Sequence, residues 1–191
     1  MTQGFLNGHF NNYKKESLQE SRKDFSSFLV HDSTRVSVFI SHKHSDLPEL
    51  KGLIGFLEKE YNCSCYIDSN DYDMPFVTNG ETAKRIKEKI VNSKKFILLA
   101  TVDAIDSKWC NWELGFGDAH KLKNDDIALI FINSTDSYSY GNEYMENYPY
   151  IVYRTSNDQY SDGTRFKEGY YVKYKRDDKW YVLSLREWLN K

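Results

Sequence analysis

The sequence predicts an α/β protein with a doubly wound parallel sheet, meaning that helices cover both faces of the sheet. Between residues 35 and 133, short β-branched or apolar runs alternate with segments of helical period. Three of the four runs are almost continuously apolar, as strands buried on both faces must be. The chain has 191 residues, of which 16% are aromatic, so it has enough ring surface for a core and is not globally disordered.

Four strands and three helices are predicted in this alternating region. The strands are 35–40, 63–68, 95–101 and 127–133. The first helix is 47–61, the second runs from the Thr78 cap to about residue 91, and the third is 109–122. A Thr78-x-x-Glu81 capping box marks the start of the second helix. Connections of this kind predict the strand order 2-1-3-4, with strand 1 central and the last strand outermost.

The N-terminal part of the chain differs from this region. Residues 1–34 are polar with spaced aromatic side chains, and residues 13–29 contain neither glycine nor proline. The stretch 13–29 therefore predicts one amphipathic helix. We treat 1–34 as an N-terminal helical extension of a core domain that spans 35–133.

The C-terminal part, 134–191, predicts an elaboration packed on the core. Two runs at 169–175 and 179–183 flank an Arg-Asp-Asp turn, which indicates a β-hairpin. Ser184 and Glu187 have capping-box spacing and predict a closing helix.

Charge and cysteine content exclude several classes of protein. Lys and Arg total 26 and Asp and Glu total 28, a net charge of -2, so the broad basic face that binds nucleic acid is not expected. No apolar run reaches the ~18 residues of a membrane-spanning helix. Three cysteines do not suit a disulfide-built secreted domain, so we expect a cytoplasmic protein.

Polar side chains collect where the predicted strands end. Ligands of open parallel sheets bind beyond the carboxyl ends of the strands. A carboxylate next to an indole at such an end is a candidate catalytic group, and Trp109 and Glu113 lie four residues apart at a helix start. The groups placed around this edge are Ser41, His42, Lys43, Asp68, Ser69, Asn70, Trp109 and Glu113.

Other interpretations of these residues stay open at this point. Glu113 can instead be a first-turn carboxylate stabilised by the helix dipole. His42 and His44 can be drawn with two aspartates as a metal site, but Lys43 between them would repel the ion, so no metal site is expected.

The cysteines, and the two glycines that follow Glu113, are expected to have packing roles rather than catalytic ones. Cys110 can be a nucleophile, but its expected position on another helical face from Glu113 disfavours that role. Cys63 and Cys65 suit buried apolar packing. Gly115 and Gly117 are expected to allow close helix packing.

Several segments in this order resemble the motifs of a TIR (Toll/interleukin-1 receptor) domain. The resemblance is to the bacterial branch, in particular to the TIR subunits of Thoeris antiphage defence systems. The matching segments are Val38-Phe-Ile-Ser-His42, Tyr66-Ile-Asp68 with the loop after it, Ser93-Lys-Lys-Phe-Ile-Leu-Leu99, Ser107-Lys-Trp-Cys-Asn-Trp-Glu113, Gly141-Asn-Glu-Tyr144 and Tyr148-Pro-Tyr-Ile151.

The resemblance implies a flavodoxin-like fold and an enzyme that cleaves NAD as its substrate, with no further cofactor. It assigns catalysis to Glu113, with Trp109 as a wall of the pocket and Lys43 or a nearby amide near a phosphate. Asp68 would orient the adjacent loop or a sugar hydroxyl. It further implies a homo-oligomer assembled through the loop 69–79 and an ADP-ribose-derived signal that activates a separate effector. The alternative within the same family is a non-catalytic TIR–TIR adaptor.

A tyrosine-rich segment, 138–153, is long enough to lie over the strand ends. Such a cover would exclude water from the cleft and favour attack by a bound nucleophile over hydrolysis.

Overall fold

The computed structural model describes residues 4–15, 35–67, 80–133 and 143–191, which form one sheet with helices on both faces. The strands are β1 (Phe5–Leu6), β2 (Val36–Ser41), β3 (Cys63–Tyr66), β4 (Lys95–Ala100), β5 (Ile127–Asn133), β6 (Tyr150–Arg154), β7 (Gly169–Arg176) and β8 (Lys179–Ser184). The helices are α1 (Leu47–Tyr61), α2 (Gly80–Asn92), α3 (Val102–Ile105), α4 (Lys108–Lys121) and α5 (Leu185–Asn190). Within these described ranges, no helix has the length and apolar content needed to cross a membrane.

The strand order confirms the predicted parallel core and corrects its edge. Strands β3, β2, β4 and β5 lie side by side and parallel, which is the predicted order 2-1-3-4. The expected outer position of the fourth strand is wrong, because β6 continues the sheet in parallel beside β5, and β7 and β8 follow in antiparallel pairing. The first core strand is therefore one strand from an edge rather than central.

The sheet separates two apolar clusters. Along β2, Val38 and Ile40 face the cluster that contains α1 and α5, whereas Phe39 faces the cluster that contains α2 and α4. This alternation is the period-2 geometry of a strand buried on both faces. Phe39 stacks on Tyr66 and on Phe96, each with ring centroids 5.5 Å apart.

The cysteines were expected to be buried and two glycines of α4 were expected to allow close packing. Cys63 and Cys65 are buried as expected, and burial raises the pKa of the Cys63 thiol to about 12. Gly117 packs closely, since a Cβ there would lie 3.1 Å from the Phe96 ring. For Gly115 the expectation is wrong, because a Cβ would meet no atom within 4 Å.

Residues 4–15 cross the outer face of α1. β1 pairs in parallel with the end of β5, and the next residues pass so close to α1 that a Cβ on Gly52 or Gly55 would meet the backbone of Phe10 or Tyr13. The predicted helix 13–29 lies outside the described residues from residue 16 onward. At its predicted start the chain forms a 3-10 turn, Asn11–Tyr13, and is extended at Lys14.

The C-terminal hairpin and closing helix form as predicted. β7 and β8 are joined by Asp177 and Asp178, both in the left-handed region. The capping box of Ser184 and Glu187 starts α5. Trp188 of α5 is 0% exposed and its indole Nε1 donates to the Asp125 carbonyl oxygen at 2.5 Å, which ties the helix to the core.

Candidate active site

The strands β2 and β4 are neighbours whose following helices pack on opposite faces of the sheet. The chain leaves β2 for α1 on one face and leaves β4 for α3 and α4 on the other. Where neighbouring strands lead to helices on opposite faces, a crevice opens beyond the carboxyl ends of the strands, and ligands of doubly wound sheets bind there.

A buried serine–carboxylate pair lies in this crevice. Ser41, the last residue of β2, donates its hydroxyl to Oε2 of Glu113 at 2.5 Å. The two residues are 1% and 2% exposed. A carboxylate removed from water interacts strongly with positive charge that forms beside it, because the local dielectric is low.

Local sequence periodicity explains how the pair is brought together. Ser41 follows Phe39 by two residues on β2, so its side chain leaves the sheet on the same face, toward α4. On α4, Cys110 and Leu114 are buried in the cluster beneath the helix, and Glu113 shares that side. The prediction that Cys110 and Glu113 occupy different faces is therefore wrong.

The position of Glu113 excludes one of its two interpretations. Ser107 caps α4 by accepting from the Cys110 amide at 3.4 Å, and the first turn contains no acidic residue. Glu113 lies in the second turn with its carboxylate turned inward. It is not an exposed first-turn carboxylate placed to interact with the helix dipole.

Trp109 lies one turn before Glu113 on α4 and is half-buried. Its ring contacts Trp112, with centroids 4.9 Å apart, and Trp112 stacks on Phe116. The row of rings gives α4 an aromatic flank that begins at Trp109 and runs toward Lys87 of α2.

The loop after β2 places its residues in different environments. His42 is buried, and its Nδ1 lies 3.2 Å from the Ile40 carbonyl oxygen, to which it donates. Lys43 is exposed at the start of the 3-10 turn His44–Asp46, and its carbonyl oxygen accepts from the Asp46 amide. His44 is exposed, unlike His42, and the described residues contain no group of three or more side chains arranged for a metal ion.

Two hydrogen bonds, which we call the loop clamp, join the loops after β2 and β4. Thr101 donates its hydroxyl to Oδ2 of Asp46 at 2.5 Å, and Ser45 donates to Oδ2 of Asp103 at 2.8 Å. Burial raises the pKa of Asp46, the Thr101 hydrogen bond opposes that shift, and the nearby charge of Asp103 adds to it. Sequence analysis placed Thr101 near a strand end but missed the clamp, because the pairing joins residues far apart in the chain.

Comparison with known proteins identifies the fold family. Residues 38–166 match the TIR domain family, a match that covers more than half of the chain. The chain belongs to the TIR domain family. The match includes β2 through β6, so it contains Ser41, the loop clamp and Glu113.

Two curated relatives are named as cyclic ADP-D-ribose synthases. The chain is 28% identical over 148 residues to the probable 3' cyclic ADP-D-ribose synthase ThsB' of Bacillus cereus (strain MSX-D12), covering 75% of this chain and 72% of that protein. It is 27% identical over 124 residues to the putative cyclic ADP-D-ribose synthase TIR2 of Cytobacillus dafuensis. That second match covers 58% of this chain and about a third (32%) of the relative.

Some predicted site residues of the TIR domain stay predictions. Asp68, Ser69 and Asn70 follow β3 but lie outside the described residues, as does the loop 69–79. The structure brings Ser41 and Glu113 together and places His42, Lys43 and Trp109 on the elements that flank them.

The expected cover of the TIR crevice is wrong for its described part, 143–153. Tyr144 donates its hydroxyl to Oδ1 of Asn111 at 2.5 Å, and Tyr148 donates to Oδ2 of Asp118 at 2.9 Å. This segment therefore runs along α4 and then enters the sheet as β6 instead of lying over the strand ends. Sequence length alone did not distinguish a cover from a crossover between two parallel strands.

Proposed function

We propose that this TIR domain protein cleaves the nicotinamide–ribose bond of NAD and converts the ADP-ribose part into a cyclic ADP-ribose product. The observation that carries the proposal is the buried Ser41–Glu113 pair at the crevice. The names of the two relatives support the reaction class.

The leaving group makes one carboxylate sufficient. Nicotinamide is attached to ribose as a positively charged pyridinium and departs neutral, so no general acid has to protonate it. Ordinary glycosidases need a second carboxylate for that step. The positive charge develops instead on the ribose ring, where an adjacent carboxylate stabilises it.

In this mechanism Glu113 contacts the nicotinamide ribose and stabilises the oxocarbenium-like transition state. Ser41 holds one carboxylate oxygen by its hydrogen bond and so fixes the direction of the other. Trp109 forms an apolar wall beside the ribose or nicotinamide. Lys43, which is exposed on the loop after β2, or a nearby backbone amide contacts a phosphate of the substrate in this proposal.

The nucleophile determines the product. Attack on the anomeric carbon by water gives ADP-ribose, whereas attack by a group of the same ADP-ribose unit closes a ring. We favour ring closure because both relatives are named for a cyclic product. Residues 143–153 do not support this outcome by covering the crevice, since they lie along α4 and in β6.

We further propose that the product is a signal in antiphage defence, read by a separate effector protein, and that the enzyme acts in the cytoplasm as a homo-oligomer. The three cysteines are all buried thiols, which suits a reducing compartment. The loop 69–79 is the proposed contact between copies, and His42, Asp68, Ser69 and Asn70 are proposed to line the substrate site together with Ser41.

The decisive experiment compares Glu113→Gln with Glu146→Gln. Both changes remove one negative charge, but Glu113 is buried at the crevice and Glu146 is exposed in the 3-10 turn Glu143–Asn147. We expect Glu113→Gln to slow NAD turnover by at least ~100-fold, about 3 kcal/mol of transition-state stabilisation. Glu146→Gln should retain wild-type turnover, and products are resolved by mass spectrometry.

The same variants test the signal. Small-molecule filtrates from phage-challenged cells are added to the candidate effector, and wild-type filtrate should activate it. Equal activation by Glu113→Gln filtrate would reject the messenger role. Folded Glu113→Gln with near-normal NAD turnover would instead reject Glu113 as the catalytic group.

A further inference from the structure

We propose that β8 is a self-association edge, at which two copies of this chain join their sheets by antiparallel β8–β8 pairing about Tyr181. β8 is the last strand of the sheet, and no described strand pairs with its far side. Trp180 and Tyr181 on this strand are 51% and 42% exposed. An exposed edge strand with such side chains is a ready site for pairing with another strand.

The hairpin turn determines which main-chain groups are free. Arg176 lies opposite Lys179, and the two residues between them have positive φ, as in a two-residue type I′ turn. Residues that close such a turn bond to each other, and the direction of main-chain groups alternates along a strand. The N–H and C=O groups of Lys179 and Tyr181 therefore face β7. Those of Trp180 and Val182 face outward.

Symmetry restricts how a second copy can pair. Two antiparallel edge strands in one sheet are related by a two-fold axis perpendicular to the sheet, so opposite residues lie on the same face. Pairing about Tyr181 places Trp180 opposite Val182 of the second copy, and both have outward main-chain groups that can bond. Lys179 then lies opposite Leu183. An aromatic side chain opposite a β-branched one is a favourable cross-strand pair, and no like charges meet.

Neighbouring registers fit less well. Pairing about Trp180 would place Asp178 opposite Val182, burying an acidic group against an apolar one. Pairing about Val182 would move Lys179 past the end of the partner strand and leave Trp180 opposite Ser184. The self-complementary pattern around Tyr181 is what favours a second copy over an unrelated strand. This edge is distinct from the loop 69–79.

Disulfide trapping tests the register directly. In the proposed pairing, the two Tyr181 residues form a non-hydrogen-bonded pair with Cα atoms about 4.5 Å apart, within disulfide range. Tyr181→Cys should therefore give a covalent dimer under mild oxidation. The control Lys179→Cys should give no covalent dimer, because its two copies are offset by about 14 Å along the strands. The native cysteines are buried and should not compete.

Sedimentation of uncrosslinked protein provides a second test. Tyr174 and Tyr181 stack on each other with centroids 5.4 Å apart, so Tyr174→Lys and Tyr181→Lys lose the same ring contact. Only Tyr181→Lys places two ammonium groups across the axis. Wild type and Tyr174→Lys should associate equally strongly as concentration rises, whereas Tyr181→Lys should associate at least about tenfold more weakly, since it keeps only the contact proposed for the loop 69–79. A monomeric wild type at every concentration, or equal dimerisation of both variants, would overturn the proposal, as would trapping of Lys179→Cys but not Tyr181→Cys.

Discussion

Replacing Ser41 with alanine removes the hydroxyl that donates to the buried Glu113 carboxylate at 2.5 Å. Hydrogen bonds to charged groups contribute about 1.5–3 kcal/mol, and a buried acceptor that loses its donor is costly. If Ser41 acts by orienting Glu113, kcat should fall about 10- to 100-fold while KM changes little. The free energy of unfolding should fall by about 1–3 kcal/mol, which lowers Tm by roughly 2–10 °C for a chain of this size.

The assay for this prediction is a double-mutant cycle measured by NAD turnover. Because Ser41 is expected to act through Glu113, Ser41→Ala should add less than about twofold to the loss in Glu113→Gln. Ser45→Ala is the matched control, since Ser45 also donates to a carboxylate, but at the exposed edge of the crevice. Multiplicative losses in the double variant would refute the argument and assign Ser41 an independent contact with substrate.

The remaining predictions concern the loop clamp and two helix glycines. The pKa of Asp46 is raised in the fold, so the protonated carboxyl stabilises the folded state fully at low pH, and this stabilisation is lost as pH rises through the raised pKa. The Tm of Asp46→Asn should therefore increase relative to that of wild type as pH rises above ~4. A Tm difference that does not change with pH would contradict this. Gly115→Ala should stabilise α4 by up to ~1 kcal/mol in urea unfolding, because a Cβ there meets nothing within 4 Å. Gly55→Ala, whose Cβ would lie against the Tyr13 carbonyl oxygen, should instead destabilise the protein and expose residues 4–15 to protease. Similar stability of the two glycine variants would show that docking of residues 4–15 on α1 does not contribute to stability.

Local signals predicted local structure well. The capping box of Ser184 and Glu187 was recognisable because both partners lie within one turn. The order of β3, β2, β4 and β5 followed from strand–helix alternation. The continuation through β6 was not predictable in the same way, because its single parallel register contact, Leu129 with Tyr150, is set by tertiary packing.

For the candidate site, sequence patterns indicated which sheet edge its described residues occupy but not how their side chains bond. Sequence periodicity and family resemblance placed Ser41 and Glu113 at the same sheet edge, and their contact follows from that placement. The bond between Thr101 and Asp46 spans 55 residues and depends on how two loops leave adjacent strands. β1 is only two residues long, too short for any strand periodicity to indicate it.

The docking of residues 4–15 has a consequence for the order of events during synthesis. Gly8 bonds to Glu49, and His9 bonds to Tyr170, which is 161 residues further along the chain. β1 pairs with the end of β5, so its partner is translated only after most of the chain has left the ribosome. Contacts of such high sequence separation form slowly. The segment translated early is thus among the last to complete its native contacts, because Phe10 packs against Tyr170 of β7 as well as against Phe56 of α1.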